Sequence, residues 1–501
     1  MTANPVVRTR AGAVRGLVID GVHVFRGVPY AQPPVGALRQ RPPRPAEPWD
    51  GVREATSFGP TAPQPDFGMP EELSGFYPTV VGDDYLNLNV FSPDLGRAGL
   101  PVMVWVHGGG FDGGSSILYD GRRFARDGVV FVSVNYRLGV EGFLALGDGI
   151  ANLGLLDQVA ALEWVRDNIA AFGGDPDNVT VFGESAGAMC TATLLAMPAA
   201  RGLFRRVALQ SGAGNLVQSL DTARHVAGLL ADELGIGPTR QEFAQVPVER
   251  LFAAQQRVER RLAERPDPRR WCGEPGARVH LVQPTVDGDV LPSTTLDAVR
   301  AGVAADVDVL LGSNAEEGRL SLVPFGALDA IGDDDVETAM RSYGLPVERA
   351  WSVYRATHPD AGPGDVLALL QRDWYYRAPA HRLAEAVVRR GRSAYLYDFA
   401  WRSPQFGGAL GACHFLEVPF VFDLLDMPLF SAITGDAPPQ ALADAMHTAW
   451  VAFATHGDPG WPRYDLSTRP VQRFDSESRV VEDPAPEERR LWEDLDIARG
   501  S

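Results

Sequence analysis

Gly183-Glu184-Ser185-Ala186-Gly187 is a G-x-S-x-G pentapeptide, and the chemistry of that pattern is nucleophilic attack by a serine hydroxyl. A hydroxyl is a weak nucleophile, so it must be held exposed and beside a base. A sharp strand-to-helix turn does this. Its flanking glycines avoid clashes, and the helix N-terminus behind the serine favours negative charge. The pentapeptide alone arises often by chance, but its setting is specific. The β-branched run at 179–182 predicts a strand before it, and 186–197, stopped by Pro198, predicts a helix after it.

A second element, His107-Gly108-Gly109-Gly110-Phe111, follows an apolar run at 102–106. Serine attack leaves negative charge on the former carbonyl oxygen, and the N–H groups of a glycine turn can approach it closely. Loss of one such donor typically costs on the order of 100- to 1000-fold in rate. The candidate donors are the amides of Gly109, Gly110 and Ala186. Alone, the triple glycine reads equally well as a tight turn at a strand end. A serine elbow about 75 residues later is the placement found in α/β-hydrolases. His107 is expected to fix this turn rather than to transfer a proton.

These residues need a rigid frame, and the sequence predicts one. Runs at 102–106, 129–136, 206–210, 307–312 and 394–399 read as buried strands. A helix is predicted over 155–169, from Leu155, Leu156, Val159, Leu162, Val165 and Ile169 at helical spacing, stopped near Gly173-Gly174-Asp175-Pro176. Another is predicted over 441–454. Continuous apolar strands alternating with helices imply a parallel sheet covered on both faces. The expected fold is therefore α/β, with a large, mostly parallel twisted sheet flanked by helices. The whole chain, 1–501, is expected to be a single domain. Helical, charged stretches at about 216–300 and 325–385 are expected insertions covering the active-site edge of the sheet. The last twenty residues are highly charged and read as a surface helix or tail.

Composition narrows the function classes. The 501 residues carry a net charge of −18 with 45% hydrophobic and 22% charged residues, ordinary for a globular protein. So acidic a surface repels phosphate, which argues against nucleic-acid and anionic-membrane partners. The apolar runs are too short to span a bilayer, and the first residues lack a secretory signal pattern. Cys190, Cys272 and Cys413 are too few for a disulfide framework, so a cytoplasmic location is expected. No spacing suggests a metal or other cofactor. Cys413, beside His414, reads as a packing residue. The expected partners are a small-molecule substrate and water, in a monomer or small homo-oligomer.

Further motifs extend along the chain. They are Phe25-Arg26-Gly27-Val28-Pro29-Tyr30-Ala31-Gln32-Pro33-Pro34-Val35-Gly36, Leu88-Asn89-Val90, Asn135-Tyr136-Arg137, Phe172-Gly173-Gly174-Asp175-Pro176-Asp177-Asn178-Val179-Thr180, Gln210-Ser211-Gly212 and the stretch 450–459. With the serine elbow and the glycine turn, the chain resembles the type-B carboxylesterases over about residues 7–480. That family includes bacterial para-nitrobenzyl esterases, animal carboxylesterases and cholinesterases. The resemblance implies an α/β-hydrolase fold and a serine carboxylesterase acting through an acyl-enzyme, on esters of small to medium acyl or aryl alcohol type.

The resemblance also places two further catalytic residues. Glu317, in Asn314-Ala315-Glu316-Glu317-Gly318, takes the acid's position, with Glu316 as its rival. His414, in Cys413-His414-Phe415-Leu416-Glu417, takes the base's position. The order Ser, Glu, His is that of the fold. His447 and His456 read as packing or capping residues. Glu184 either raises the pKa of His414 by its charge or makes a buried hydrogen bond. Ser211 matches a family serine, and either bridges a water to Glu317 or caps a strand end. Phe111 is a candidate pocket residue, as are Trp271, Phe325 and Trp401, with core packing the alternative for each. The chain departs from secreted relatives in having Tyr85 where they carry a disulfide cysteine. Asp83 replaces a usual glutamate and is an expected partner of Arg39. An amidase, carbamate hydrolase or thioesterase could use the same groups, and a non-catalytic adhesion or scaffold protein would lack one of them.

Overall fold

The computed structural model describes residues 4–264, 280–304, 306–493 and 495. An eleven-stranded sheet forms its centre. In chain order the strands are β1 (Leu17–Ile19), β2 (Val22–Pro29), β3 (Asn87–Ser92), β4 (Leu100–Val106), β5 (Val130–Val134), β6 (Gly174–Glu184), β7 (Arg206–Gln210), β8 (Asp308–Asn314), β9 (Ala394–Phe399), β10 (Pro470–Phe474) and β11 (Arg479–Glu482). Across the sheet they lie β11-β10-β9-β8-β7-β6-β4-β5-β3-β2-β1. The stretch from β10 to β5 is parallel throughout. Antiparallel β11 closes one edge, and β3, β2 and β1 close the other.

The parallel strands read as continuous apolar runs because both of their faces are covered. Alternation along β4 shows the two sides. Val102, Val104 and Val106 join one core, with Val130, Val132, Val134 and Val181. Met103 and Trp105 join the other, with Phe131, Phe182 and Phe422. Helices Leu153–Asn168 and Ala186–Leu194 pack on the first face. Helix Gln440–His456 packs on the second.

The expected elements are present with small shifts. The helix predicted over 155–169 runs on as a 3-10 turn to Phe172, and Gly173, at φ 88°, ends it. The strand predicted over 179–182 extends to the full β6. The stretch 216–300 holds helices Leu220–Leu234, Arg240–Gln245, Val248–Glu264 and Thr295–Ala301. The stretch 325–385 holds Asp333–Ser342, Val347–Thr357, Pro363–Arg372 and the start of Ala378–Arg389. The terminal helix, Pro486–Glu493, differs from a surface tail. Trp492 and Leu491 are buried among Tyr354, Trp374 and Met340, and fully buried Glu488 accepts from Arg372 at 2.5 Å and Arg377 at 2.8 Å.

Candidate active site

Ser185 sits where β6 ends and helix Ala186–Leu194 begins. Its φ of 53° and ψ of −126° form the strained turn that lifts a side chain off the sheet. The turn closes against the neighbouring strands. A Cβ on Gly187 would stand 2.1 Å from the carbonyl oxygen of Val106, and one on Gly183 would stand 2.6 Å from it. Only glycine fits at both flanks. The Ser185 amide donates to the Gln210 carbonyl at 2.9 Å, so the elbow is anchored to the end of β7.

Glu317 follows β8, and His414 lies in the loop after β9. The two loops are stitched together. The Glu316 amide donates to the Ala412 carbonyl at 2.9 Å, and the His414 amide to the Glu317 carbonyl at 3.2 Å. His414 Nδ1 lies 2.6 Å from Glu317 Oε2. The other carboxylate oxygen of Glu317, Oε1, accepts from Ser211 Oγ at 2.6 Å and from the Asn314 amide at 2.7 Å. The Ser211 bond is thus direct, not through a water. The Tyr376 ring stacks on the imidazole at 4.9 Å. Glu316, the rival acid, points away. It binds Arg319 and Arg402 and accepts from the Ala412 amide.

Three buried carboxylates surround this imidazole. Glu184 Oε1 lies 3.0 Å from His414 Nε2. The N–H is not aligned with that oxygen, which has no hydrogen-bond partner among the described residues, so the contact is one of charge. Glu417 accepts from Asn314 and Gln210 below. Burial opposes charge on His414, but Glu184, then Glu317 and its hydrogen bond, then Glu417 outweigh it and hold the imidazole up at about 9. Burial, opposed by His414 and aided by Glu417 and Glu317, drives the Glu184 carboxyl well above the usual range. Burial also pushes the Cys413 thiol up, with Glu317 and Glu417 adding to it, so Cys413 is a packing residue and not a thiolate.

The glycine turn after β4 faces the elbow. Gly109, at φ 118°, closes on Gly113, where a Cβ would stand 2.2 Å from the Gly113 carbonyl oxygen. The amides of Gly109, Gly110 and Ala186 have no acceptor among the described residues. His107 fixes the turn. Its Nδ1 lies 2.9 Å from the Gly108 carbonyl oxygen, and its ring stacks on Tyr136 at 4.5 Å. Burial lowers its pKa to about 4.

A cavity of about 360 Å³ brings Ser185, His414, Glu184 and Gly108 to Gly110 together. Its other walls are mostly apolar, with Met69, Leu73, Phe76, Leu118, Phe415 and Ile433 among them. Tyr376, from within the second insertion, and His280, from within the first, also reach it. Sequence reasoning missed both, along with the 69–77 segment, because no local pattern marks them. Phe111 is corrected from a pocket residue to core: it is fully buried against Phe143 and His280 and does not line the cavity. Trp401 packs on Phe420, Phe325 is exposed, and Trp271 lies outside the described residues. Arg39 does not pair with Asp83. It binds Glu141 at 2.7 Å and the carbonyls of Ala244 and Val246, which offer it more acceptors in one place. His447 is held by the Val421 carbonyl and Asp127, far from this chemistry in role. Among the described residues no cluster of His, Cys, Asp and Glu is arranged to hold a metal, and no helix is long and apolar enough to cross a membrane.

Known proteins share this layout over nearly the whole length. The profile of the Carboxylesterase family matches residues 3–492. The para-nitrobenzyl esterase of Bacillus subtilis (strain 168) is 37% identical over 97% of this chain and 98% of its own. Phenmedipham hydrolase of Pseudarthrobacter oxydans is 38% identical over 93% of this chain and 94% of its own. The crystal structure of Geobacillus stearothermophilus carboxylesterase EST55 at pH 6.2 superposes with a TM-score of 0.85 at 38% identity, over 97% of this chain and 100% of that one.

Proposed function

The chain belongs to the carboxylesterase family and is a carboxylic-ester hydrolase, and from that premise we propose that it works through a Ser185-His414-Glu317 triad and an acyl-enzyme. The supporting observation is the 2.6 Å contact of His414 with Glu317 at the wall of the cavity that also holds Ser185.

His414 Nε2 takes the Ser185 proton as Oγ bonds to the carbonyl carbon. The C=O electron pair moves to oxygen, where the amides of Gly109, Gly110 and Ala186 receive it. Glu317 keeps the proton on Nδ1 and stabilises the imidazolium. The tetrahedral centre collapses, and the alcohol leaves with the proton from Nε2. Water then attacks the acyl-enzyme, losing a proton to His414, and the acid departs as Oγ regains one.

The apolar walls and the 360 Å³ volume favour neutral esters with small to medium acyl or aryl groups. No arginine stands among the lining residues and Glu184 does, so anionic esters are disfavoured. Carbamate cleavage by the same groups is a second reading, supported by the likeness to phenmedipham hydrolase. A cytoplasmic location is supported by Cys190 and Cys413, both free and buried.

A fluorophosphonate probe tests the nucleophile. It is expected to label Ser185, and Ser185→Ala is expected to lose both label and turnover while keeping the wild-type melting temperature. Turnover in a folded Ser185→Ala enzyme would refute the assignment.

A further inference from the structure

His280 stands beside the candidate oxyanion turn and has no role in the triad. A Cβ on Gly110 would stand 2.7 Å from its Cε1, and its ring meets Phe111 edge-on at 5.4 Å. Its side chain is 23% exposed, and the space it meets is the cavity that holds Ser185 and His414. Neither ring nitrogen has a hydrogen-bond partner among the described residues. The nearest polar group is Asp112 Oδ2, 3.9 Å from Nδ1.

Asp112, the polar group nearest the ring, is itself held by a hydrogen bond. Asp112 Oδ1 accepts from Gln255 Nε2 at 2.7 Å, and the same amide nitrogen donates to Glu259 at 3.0 Å. The first of these bonds ties helix Val248–Glu264 to the end of the oxyanion turn. Burial holds Asp112 and Glu259 above the usual carboxylate range, and burial lowers His280 to about 4. The imidazole is therefore neutral at working pH, with one donor nitrogen and one acceptor nitrogen.

A half-buried polar edge in a mostly apolar wall, unpaired within the protein, gains a hydrogen bond from a ligand that supplies a partner. We infer that His280 is a specificity residue, which binds a neutral hydroxyl carried on the acyl group of the substrate next to the scissile carbonyl. One contact and one point of chemistry support that choice. The ring adjoins Gly110, whose amide is a candidate donor to the carbonyl oxygen, so the recognised group lies close to that carbonyl. A hydroxyl both donates and accepts, so it pairs with either tautomer of the ring. The preferred substrates are 2-hydroxyacyl esters. This inference rests on the triad reading given above.

The test compares ethyl mandelate with ethyl phenylacetate, which differ by that hydroxyl alone. The ratio of their kcat/KM values cancels differences in folded fraction and in base strength. In His280→Phe the mandelate preference is expected to fall about three- to tenfold, the worth of a neutral hydrogen bond. His280→Gln, which can donate and accept, is expected to restore part of it. An unchanged ratio in both variants, with turnover of both esters still abolished by Ser185→Ala, would overturn the role of His280 and leave the triad standing. Turnover that survives Ser185→Ala would instead strike the reading beneath it.

Discussion

Exchange of either neighbouring glutamate for glutamine tests the proposal that Glu317 orients the base while Glu316 braces the loop. Glu317 Oε1 takes two donors, Ser211 Oγ and the Asn314 amide, while Oε2 takes Nδ1 of His414. In Glu317→Gln, an NH2 group on the Oε1 side would face the Asn314 N–H, a donor that cannot turn away. A buried donor left unpaired costs about 1–3 kcal/mol, so the carbonyl takes that side and the NH2 turns to His414. The ring must then accept at Nδ1, which places its proton on Nε2, where it cannot take one from Ser185. The wrong tautomer costs on the order of 10,000-fold in kcat. Glu316→Gln meets no such conflict. It weakens links to Arg319 and Arg402 and keeps an acceptor for the Ala412 amide, so its loss should stay within about tenfold, the worth of a weakened hydrogen bond. Steady-state hydrolysis of p-nitrophenyl acetate, with thermal melts to confirm folding, reads both. An equal or larger loss in folded Glu316→Gln would refute the assignment of the acid.

Activity should follow the charge on His414. The base acts only when neutral, and its pKa is held up at about 9, so kcat/KM is expected to rise as pH climbs toward 9 and to fall away below. Glu184→Gln removes the carboxylate 3.0 Å from Nε2, which lowers that pKa and moves the acid limb to lower pH, by about one unit or more; a stationary limb would show that Glu184 acts otherwise. Away from the site, Arg137 and Asp157 form a fully buried pair with bonds of 2.6 and 2.7 Å. Asp157→Ala strands a buried guanidinium and should destabilise the protein by about 3–5 kcal/mol, seen as a lower urea midpoint, and an unchanged midpoint would contradict it.

Much of the frame is local and so was legible. β7 and β9 begin and end where the predicted runs do, because a strand covered on both faces is rich in apolar residues. Strands β1, β2, β10 and β11, at or next to the sheet edges, carry polar or part-exposed residues, and no comparable run marks them. The terminal helix misled by its charge. Arg489 and Arg490 separate Glu488 from Leu491 and Trp492, and the spacing 488, 491, 492 is a buried helical stripe. Glu488 belongs to that stripe only because Arg372 and Arg377 stand opposite it, over 110 residues away in sequence.

The site divides in the same way. Ser185 and its glycines are one continuous turn, and their chemistry is written in five residues. His414 and Glu317 stand 97 residues apart, and only the motifs around each, matched to a family, could join them. His280 had neither a local pattern nor a motif, since its place beside Gly110 and Phe111 joins positions about 170 residues apart in the chain. The electrostatics follow from position as well. Glu184 sits beside Ser185, Glu417 three residues after His414, and Glu317 in the turn stitched to both loops, so the strand ends deliver three carboxylates to one imidazole. Such a field stabilises the imidazolium that forms in the transition state, yet it weakens the supply of neutral base beforehand. Burial tempers that conflict, because it opposes charge on the imidazole and drives the Glu184 carboxyl well above the usual carboxylate range. The negative charge that develops on the substrate then falls to backbone amides alone. The glycine turn is packed as tightly as the elbow: a Cβ at Gly109 would meet the Gly113 carbonyl, and one at Gly108 would stand 2.8 Å from the Glu184 carboxylate, so that acid touches the oxyanion turn and the base at once.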